Sequence, residues 1–383
     1  MRGKAVLITI CVLLFLASLG IGATLLVRQN RRQSFLNSYQ EAKALFDGGQ
    51  YREALSLFVN IYPLSRGEQK IDITYKMGSC YQKLGATEEA YQYWDKVLNS
   101  PYTSYYPLAY FEIAQQKIRE EKLEEAIIYY SKIIDEFPTH PLAEEAQLGL
   151  VDIYRAKGEH QKAKDYCERI LSESGSLGLK EQIIRKLGDI NMELLFSPVT
   201  TEISEVYSVK AGDTLSAIAR RFNTTVPLLM AANHLNSTLI RPGKRLKVTP
   251  GKFSIVIDIK NNTLSLNYDG KIFKVYTIAS GANKSTPLGS FKIVDKIPNP
   301  VWYSSKGVIP TDSPENILGS RWIGLSISGY GIHEAIDLSD LGKYVSRGCI
   351  RMKKEDLEEL YDIITIGTPV EIVESSSYVA SGE

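Results

Sequence analysis

Hydrophobic positions recur with a helical period between residues 39 and 196. An alanine returns at spacings of 36, 36 and 37 residues, with a bulky side chain one helical turn later and another two turns later. The alanines are Ala54, Ala90, Ala126 and Ala163. Five residues before them stand Gly49, Gly85, Glu121 and Gly158. Because glycine interrupts helices, the pattern predicts four helical hairpins in an all-α solenoid.

These phased units resemble tetratricopeptide repeats, and they are slightly longer than the usual length of about 34 residues. The resemblance implies a concave surface that binds a protein partner, which the sequence does not identify. Cys80 and Cys167 fall at core-facing positions, where a free thiol acts as a small hydrophobe. We therefore expect no chemistry in this region.

An apolar segment of 23 residues without a charged side chain runs from Ala5 to Val27. As a helix it would reach about 34 Å, enough for a bilayer core of ~30 Å. A cleaved signal peptide is the alternative, but its apolar stretch is usually only about 7–15 residues. We therefore predict an uncleaved transmembrane anchor over residues 5–27. Basic residues flank it on both sides, so charge alone does not set its orientation.

A short βααβ module is predicted over residues 206–250. Tyr207-Ser208-Val209 alternates like a strand, and Asp213 or Thr214 can cap the helix that follows. This segment resembles a LysM domain along its whole length, which implies binding to polymers that contain N-acetylglucosamine. By the same resemblance, the glycan groove would use Gly212, Asp213, Thr214, Leu215, Ile240 and Pro242.

Residues 252–374 read as a mainly-β domain. Two alternating runs flank Asn261-Asn262 as a hairpin, and a helix appears only after Lys353. We expect the tail, residues 375–383, to be disordered. The chain is thus predicted to be multidomain, with a transmembrane helix, an all-α solenoid, a βααβ module and a mainly-β domain.

Composition narrows the possible partners. The 45 basic and 44 acidic residues give a net charge of +1, which argues against nucleic acid because phosphate binding requires a basic excess. The four cysteines, at positions 11, 80, 167 and 349, are far apart in sequence. Neither a disulfide framework nor a zinc site fits that spacing, so we expect no metal and no cofactor.

The candidate chemistry centres on Cys349, which arginines flank two residues away on either side. Nearby cations and the N-terminus of the following helix would favour its thiolate form. His333, the domain's one histidine, could accept the thiol proton and return it to a leaving amine. The pair meets the minimum requirement for acyl transfer, although spacing alone favours a buried structural cysteine and histidine.

Three separated motifs resemble the L,D-transpeptidase (YkuD-type) catalytic domain. They are Ser346-Arg347-Gly348-Cys349-Ile350-Arg351-Met352, His333 sixteen residues upstream of the cysteine, and Ser280-Gly281 followed by Thr286-Pro287-Leu288-Gly289-Ser290-Phe291. The resemblance implies a β-rich enzyme that acts on peptidoglycan. Its cysteine attacks the third residue of a tetrapeptide stem, releases D-alanine and passes the acyl group to an acceptor amine.

Carried onto this chain, the resemblance makes Cys349 the nucleophile and His333 the base. Ser346 and Gly348 would shape the nucleophile loop, with the Gly348 and Cys349 amides as candidate oxyanion donors. Arg351 would hold that loop or a donor carboxylate. The family usually has glycine after the histidine, but this chain has Glu334, which could raise the pKa of the base or occupy the acceptor site.

Taken together, the predicted domains suit the outer face of a bacterial inner membrane, with the N-terminus in the cytoplasm and the bulk in the periplasm or cell wall. Two alternatives to transpeptidation stay open. Water could resolve the same acyl-enzyme, giving an L,D-carboxypeptidase or a cross-link hydrolase. The catalytic domain could also be degenerate, leaving a scaffold that binds the wall.

Overall fold

The computed structural model describes residues 26–304 and 307–374. The chain divides into two compact units, Met1–Leu150 and Val151–Glu383. Within the described ranges, no helix has the length and apolar character needed to cross a membrane. The predicted anchor lies outside the described residues except for its last two positions, and the predicted disordered tail lies outside them entirely.

The helices predicted from the alanine spacing are present, and nine consecutive helices run along the described chain. They are α1 (26–47), α2 (Tyr51–Ile61), α3 (Gly67–Lys83), α4 (Thr87–Leu98), α5 (Tyr106–Arg119), α6 (Leu123–Glu136), α7 (Leu142–Ala156), α8 (His160–Glu173) and α9 (Leu177–Leu195). The four repeat alanines lie on α2, α4, α6 and α8, and all four are fully buried. Cys80 and Cys167 are buried as well, in agreement with a packing role.

The residue five positions before each repeat alanine has a left-handed backbone. Gly49, Gly85 and Gly158 have φ between 73° and 82°, and Glu121 has φ 58°. Such a residue ends one helix of a hairpin and turns the chain toward the next, and glycine does this without steric cost. Glu121 is therefore the one member of this set that keeps a Cβ in a conformation that disfavours it.

The βααβ module also has the predicted form. Strand β1 (Glu205–Ser208) pairs antiparallel with β2 (Arg245–Val248), and α10 (Leu215–Arg221) and α11 (Val226–Ala232) lie between them in sequence. Of the two proposed caps for α10, Thr214 is the one that caps the helix, because its hydroxyl accepts from the Ala217 amide at 3.1 Å. Asp213 instead accepts from the Lys210 amide and the Tyr207 hydroxyl.

The C-terminal domain is a β-barrel with one helix, α12 (Lys354–Ile363). Its strands within the described residues are β3 (Phe253–Asp258), β4 (Thr263–Tyr268), β5 (Lys271–Gly281), β6 (Gly289–Pro298), β7 (Trp302–Ser304), β8 (Gly307–Ile309), β9 (Arg321–Leu325), β10 (Gly331–Glu334), β11 (Tyr344–Ser346), β12 (Ile350–Met352) and β13 (Pro369–Val373). The main sheet runs β11-β5-β12-β10-β9-β6-β13-β3-β4, and an added β4–β5 pairing closes it. Strands β7 and β8 form a separate hairpin.

Helix α9 belongs to the barrel as much as to the repeats. Its Met192 and Leu195 join the apolar core of the barrel, as does Leu228 from the βααβ module. The Asn191 side-chain amide donates to the buried carbonyl of Phe273 on β5 at 2.9 Å. The predicted boundary at residue 196 therefore coincides with the end of α9, but α9 packs in the same core as the barrel.

A buried lysine fastens the βααβ module to the end of α9. Lys247 on β2 is 4% exposed, and its ammonium donates to the carbonyls of Leu194 at 2.6 Å and Ser197 at 2.8 Å. Burial lowers the pKa of Lys247 to about 8. The last carbonyls of a helix carry partial negative charge, so a cation is favourably placed there.

We expect Glu121→Gly to stabilise the helical repeats by about 1 kcal/mol, because glycine removes the steric cost of a left-handed backbone. Urea unfolding followed by far-ultraviolet circular dichroism measures the change. Glu121→Ala is the matched control, since it removes the carboxylate but keeps the Cβ. Equal stabilisation by both variants would assign the effect to the side chain and contradict the backbone explanation.

Candidate functional site

Parallel pairing of β10 with β12 places His333 beside the cysteine. Ile332 pairs with Ile350 and His333 with Arg351. Since Cys349 directly precedes Ile350, alternation along the strand puts it on the same face as His333. The Cys349 sulfur lies 3.7 Å from the Gly329 carbonyl, next to the start of β10. The predicted nucleophile and base therefore come from adjacent strands.

His333 is held as a neutral imidazole. It is 3% exposed and stacks on Trp322 of β9, with ring centroids 6.2 Å apart. Burial first, and then the charge of Arg351, lowers the pKa of His333 to about 4. Its Nδ1 lies 3.0 Å from the Glu334 carbonyl oxygen, which can only accept, so Nδ1 carries the proton. Nε2 is then left with the lone pair that a general base needs.

Cys349 does not have the thiolate-favouring surroundings expected from the sequence. Burial raises the pKa of the Cys349 thiol, and a hydrogen bond from the Gly331 backbone and the charge of Arg351 offset this only in part. The helix does not help directly, because β12 intervenes and α12 begins only at Lys354. At rest, therefore, the Cys349 thiol and the His333 imidazole are both neutral.

The Ser346 hydroxyl shapes the nucleophile loop. It accepts from the Gly348 amide at 3.0 Å and donates to the Cys349 carbonyl at 2.6 Å. Gly348 has φ 123°, and a Cβ there would come within 2.6 Å of the Tyr330 ring, so the position requires glycine. Because the Gly348 amide is bonded to Ser346, the Cys349 amide is the better placed of the two predicted oxyanion donors.

Thr286 holds the same loop from the other side, a role that the sequence did not reveal. Its hydroxyl accepts from the Gly281 amide at 2.8 Å and donates to the Gly348 carbonyl at 3.0 Å. Thr286 is 3% exposed. Its place in the motif that begins at Thr286 was the only sequence signal, and no periodicity could have indicated a partner 62 residues away.

Asn262 and Ser280 support the strand that leads into the loop. The Ser280 hydroxyl donates to the Asn262 side-chain oxygen at 2.6 Å, and the Asn262 amide donates to the Gly342 carbonyl at 3.2 Å. Both side chains are buried. The asparagine that the sequence placed in a hairpin turn thus also fixes the approach to β11.

Arg351 pairs with Asp340 at 2.7 Å, and both side chains are about three-quarters buried. Asp340 lies in a 3₁₀ turn, Leu338–Asp340, shortly before β11. Of the two predicted roles for Arg351, this geometry favours holding the loop. Its charge also reaches the site, where it lowers the pKa of His333 and opposes the rise in the pKa of Cys349.

The Glu334 carboxylate does not act on the base in the way expected from the sequence. Its Oε2 accepts a hydrogen bond from the Ser320 amide at 2.8 Å. The contacts that tend to raise the pKa of His333 are backbone hydrogen bonds with Glu334 and Ile317, and they are outweighed by burial. The carboxylate is therefore bonded to the backbone that precedes β9.

Family models match three parts of the chain. A model described as the L,D-transpeptidase catalytic domain matches residues 252–372, and a LysM model matches residues 207–249. Tetratricopeptide repeat models match residues 73–101 and 144–175. All three resemblances read from the sequence are confirmed, in the predicted order.

Two Bacillus proteins that carry the name L,D-transpeptidase YkuD are similar to this chain over nearly their whole length. The one from Bacillus licheniformis is 37% identical over 176 residues, which cover 44% of this chain and 98% of the relative. The one from Bacillus subtilis is 34% identical over 174 residues, covering 43% and 97%. The chain belongs to the L,D-transpeptidase family. A solved L,D-transpeptidase from Mycobacterium smegmatis matches 34% of this chain and 63% of its own, at 26% identity and a TM-score of 0.28.

The LysM residues singled out from the sequence lie on two loops joined by backbone hydrogen bonds. Val209 bonds to Lys244 through its amide and to Gly243 through its carbonyl, which brings the loop of Gly212 toward the loop of Pro242. Gly212, Thr214 and Pro242 are exposed, and Asp213 and Ile240 are partly buried.

The Leu215 side chain is 2% exposed and packs in the core of the module, so it does not face the predicted groove. Its backbone is the only part that could contact a sugar.

The L,D-transpeptidase site predicts an unusual pH profile for acylation of Cys349. A histidine base works only when neutral, so activity should hold down to about pH 5 and fall as the pH approaches the His333 pKa of about 4. Stopped-flow measurement of acylation by a carbapenem tests this. His333→Asn should lack the plateau and show a rate that climbs with pH as thiolate forms. An acid limb centred on the ordinary histidine pKa would contradict the proposed environment.

Thr286→Val should slow acylation and destabilise the barrel by roughly 2 kcal/mol, because it leaves the buried Gly281 amide and Gly348 carbonyl unpaired. Thr286→Ser is the matched control, since it keeps the hydroxyl and should retain most of both properties. Acylation kinetics and thermal unfolding measure the two effects. Loss of activity in both variants alike would point to methyl packing instead of the hydroxyl bridge.

Proposed function

We propose that the chain is a peptidoglycan L,D-transpeptidase in which Cys349 is the nucleophile. The observation that carries this proposal is the neutral, buried His333, whose Nδ1 donates to a carbonyl on the strand next to the cysteine. That arrangement leaves a lone pair ready to take the thiol proton. A structural histidine would need an acceptor for the same N–H, so what favours a base is the position of His333 on the strand that pairs with the one following Cys349.

The first half-reaction forms an acyl-enzyme. The sulfur of Cys349 attacks the carbonyl carbon of the third residue of a tetrapeptide stem while His333 Nε2 takes the thiol proton. A carbon–sulfur bond forms, and the resulting oxyanion faces the Cys349 amide. The bond to the terminal D-alanine then breaks, and the imidazolium returns the proton to the departing amine.

The second half-reaction transfers the acyl group. An acceptor amine attacks the thioester, loses a proton to His333 and displaces Cys349, which regains its proton. The product is a 3→3 cross-link or an amide that attaches a protein to the wall. Water in place of the amine would give the L,D-carboxypeptidase or cross-link hydrolase.

The remaining parts of the chain suggest where this chemistry takes place. The LysM module would hold glycan near the barrel, through the loops of Gly212 and Pro242. The apolar stretch of residues 5–27 would anchor the protein in the inner membrane, with the bulk in the periplasm or cell wall. The repeats would dock a protein partner.

Incubation with a carbapenem should add the mass of one opened inhibitor molecule to the intact chain, with Cys349 as the modified residue. Cys349→Ser should gain no such mass, and Cys80→Ser should be labelled like wild type because Cys80 is a buried thiol outside the barrel. Intact-mass and peptide mass spectrometry measure both. Absence of an adduct on wild type, under conditions that label an active L,D-transpeptidase, would favour the degenerate scaffold.

Muropeptide analysis of cells with and without the protein separates transfer from hydrolysis. New 3→3 cross-links or wall-attached proteins indicate the transferase. Shortened stems or lost cross-links without them indicate the hydrolytic alternative.

A further inference from the structure

The chain between β8 and β9 passes beside His333, and side-chain hydrogen bonds fix the part that follows β8. We call residues 310–320 the β8–β9 connection. The buried Asn316 side chain donates to the Pro300 carbonyl at 2.9 Å and the Pro310 carbonyl at 3.1 Å, and its oxygen accepts from the Leu318 amide at 2.9 Å. One amide therefore joins the base of the β7–β8 hairpin to the connection.

Glu334 fixes the other end of the β8–β9 connection, just before β9. Its backbone amide donates to the Leu318 carbonyl at 3.2 Å, and its carboxylate accepts from the Ser320 amide at 2.8 Å. Between these contacts lies Gly319, with φ 68°, where any Cβ would overlap the Glu334 side chain. The backbone of the connection thus rests directly on Glu334, and a glycine at position 334 would offer no acceptor to Ser320.

The same stretch of backbone contacts the base. The backbone of Ile317, one residue before Leu318, lies close enough to His333 to raise the pKa of the imidazole, although burial outweighs this effect. His333 Nδ1 also bonds to the Glu334 carbonyl. The imidazole is therefore held between its own strand and a connection whose position depends on the Glu334 side chain.

We propose that Glu334 is a positioning residue, whose carboxylate holds the β8–β9 connection against His333 and so keeps the proton on Nδ1 and the lone pair on Nε2 directed at Cys349. This inference rests on the proposed function for its kinetic consequence, but its structural content concerns the histidine alone. The departure from the glycine that is usual in the family is then part of how this chain orients its base.

The test compares Glu334→Ala with Glu334→Gln in the full chain. Glutamine keeps an oxygen that can accept from the Ser320 amide, whereas alanine does not. Alanine should lower the acylation rate at saturating carbapenem by about 10–100-fold with little change in the half-saturating concentration, since misplacing a base affects the chemical step. Glutamine should stay within about threefold of wild type, because the hydrogen bond and not the charge carries the effect. Glu315→Ala, an exposed carboxylate on the same connection, is the matched control and should behave as wild type.

A spectroscopic measurement makes the inference independent of turnover. Nitrogen-15 NMR of histidine-labelled protein, with the His333 signals assigned from His333→Asn, should show a protonated Nδ1 in wild type and Glu334→Gln, and tautomer averaging in Glu334→Ala. If wild type takes up no carbapenem, the proposed function fails, and the tautomer pattern alone decides the role of Glu334. A wild-type tautomer and wild-type acylation rate in Glu334→Ala would overturn the positioning role, as would a loss in glutamine equal to that in alanine.

Discussion

The site depends on one backbone constraint, the parallel pairing of β10 with β12. Parallel neighbours cannot be joined by a tight turn, so the chain between His333 and Cys349 must leave the sheet and return. It does so through a 3₁₀ turn and β11, which pairs with the end of β5. Every residue found to hold the nucleophile loop acts on this excursion. Ser346 and Thr286 hold its end, Asn262 holds its middle, and Asp340 links it back to Arg351 on β12.

Such support matters because neither of the two proposed reacting groups, the Cys349 thiol and the His333 imidazole, is ionised at rest. An ion pair of thiolate and imidazolium would orient itself by charge, but burial opposes both charges here, raising the pKa of Cys349 and lowering that of His333. Orientation must then come from directional hydrogen bonds. As a result, little of Cys349 is in the thiolate form before substrate binds. The same property lowers its reactivity toward oxidants, because oxidants attack the thiolate. Resistance to oxidation suits an enzyme that works outside the cytoplasm, as proposed.

The parts of the structure that sequence predicted well are those with local signals. Repeat alanines, turn glycines and the Thr214 cap act within a few residues of themselves, so spacing identifies them. Cys349 and His333 were proposed as nucleophile and base from a family motif, but the sequence did not show that burial raises the pKa of the thiol, because burial is a property of the folded barrel. Thr286 and Asn262 act across 62 and 80 residues, distances over which no pattern in one sequence sets a partner. At Leu215 the motif did not reveal that the side chain packs in the core of the module.

The sequence also did not reveal that packing continues across residue 196. Residue 196 ends a helix, so the sequence changes character there, but packing continues because Met192 and Leu195 complete the barrel core. Lys247 adds a directional contact to that apolar one. Burying an ammonium is costly, and an apolar residue of similar size would pack there without desolvation. Hydrogen bonds from Lys247 to the carbonyls at the end of α9 offset part of that cost. They form in only one orientation of the LysM module against α9, so the lysine favours that orientation over others. Glycan held by that module would then lie in a fixed relation to Cys349, which a flexible tether of the same length would not provide.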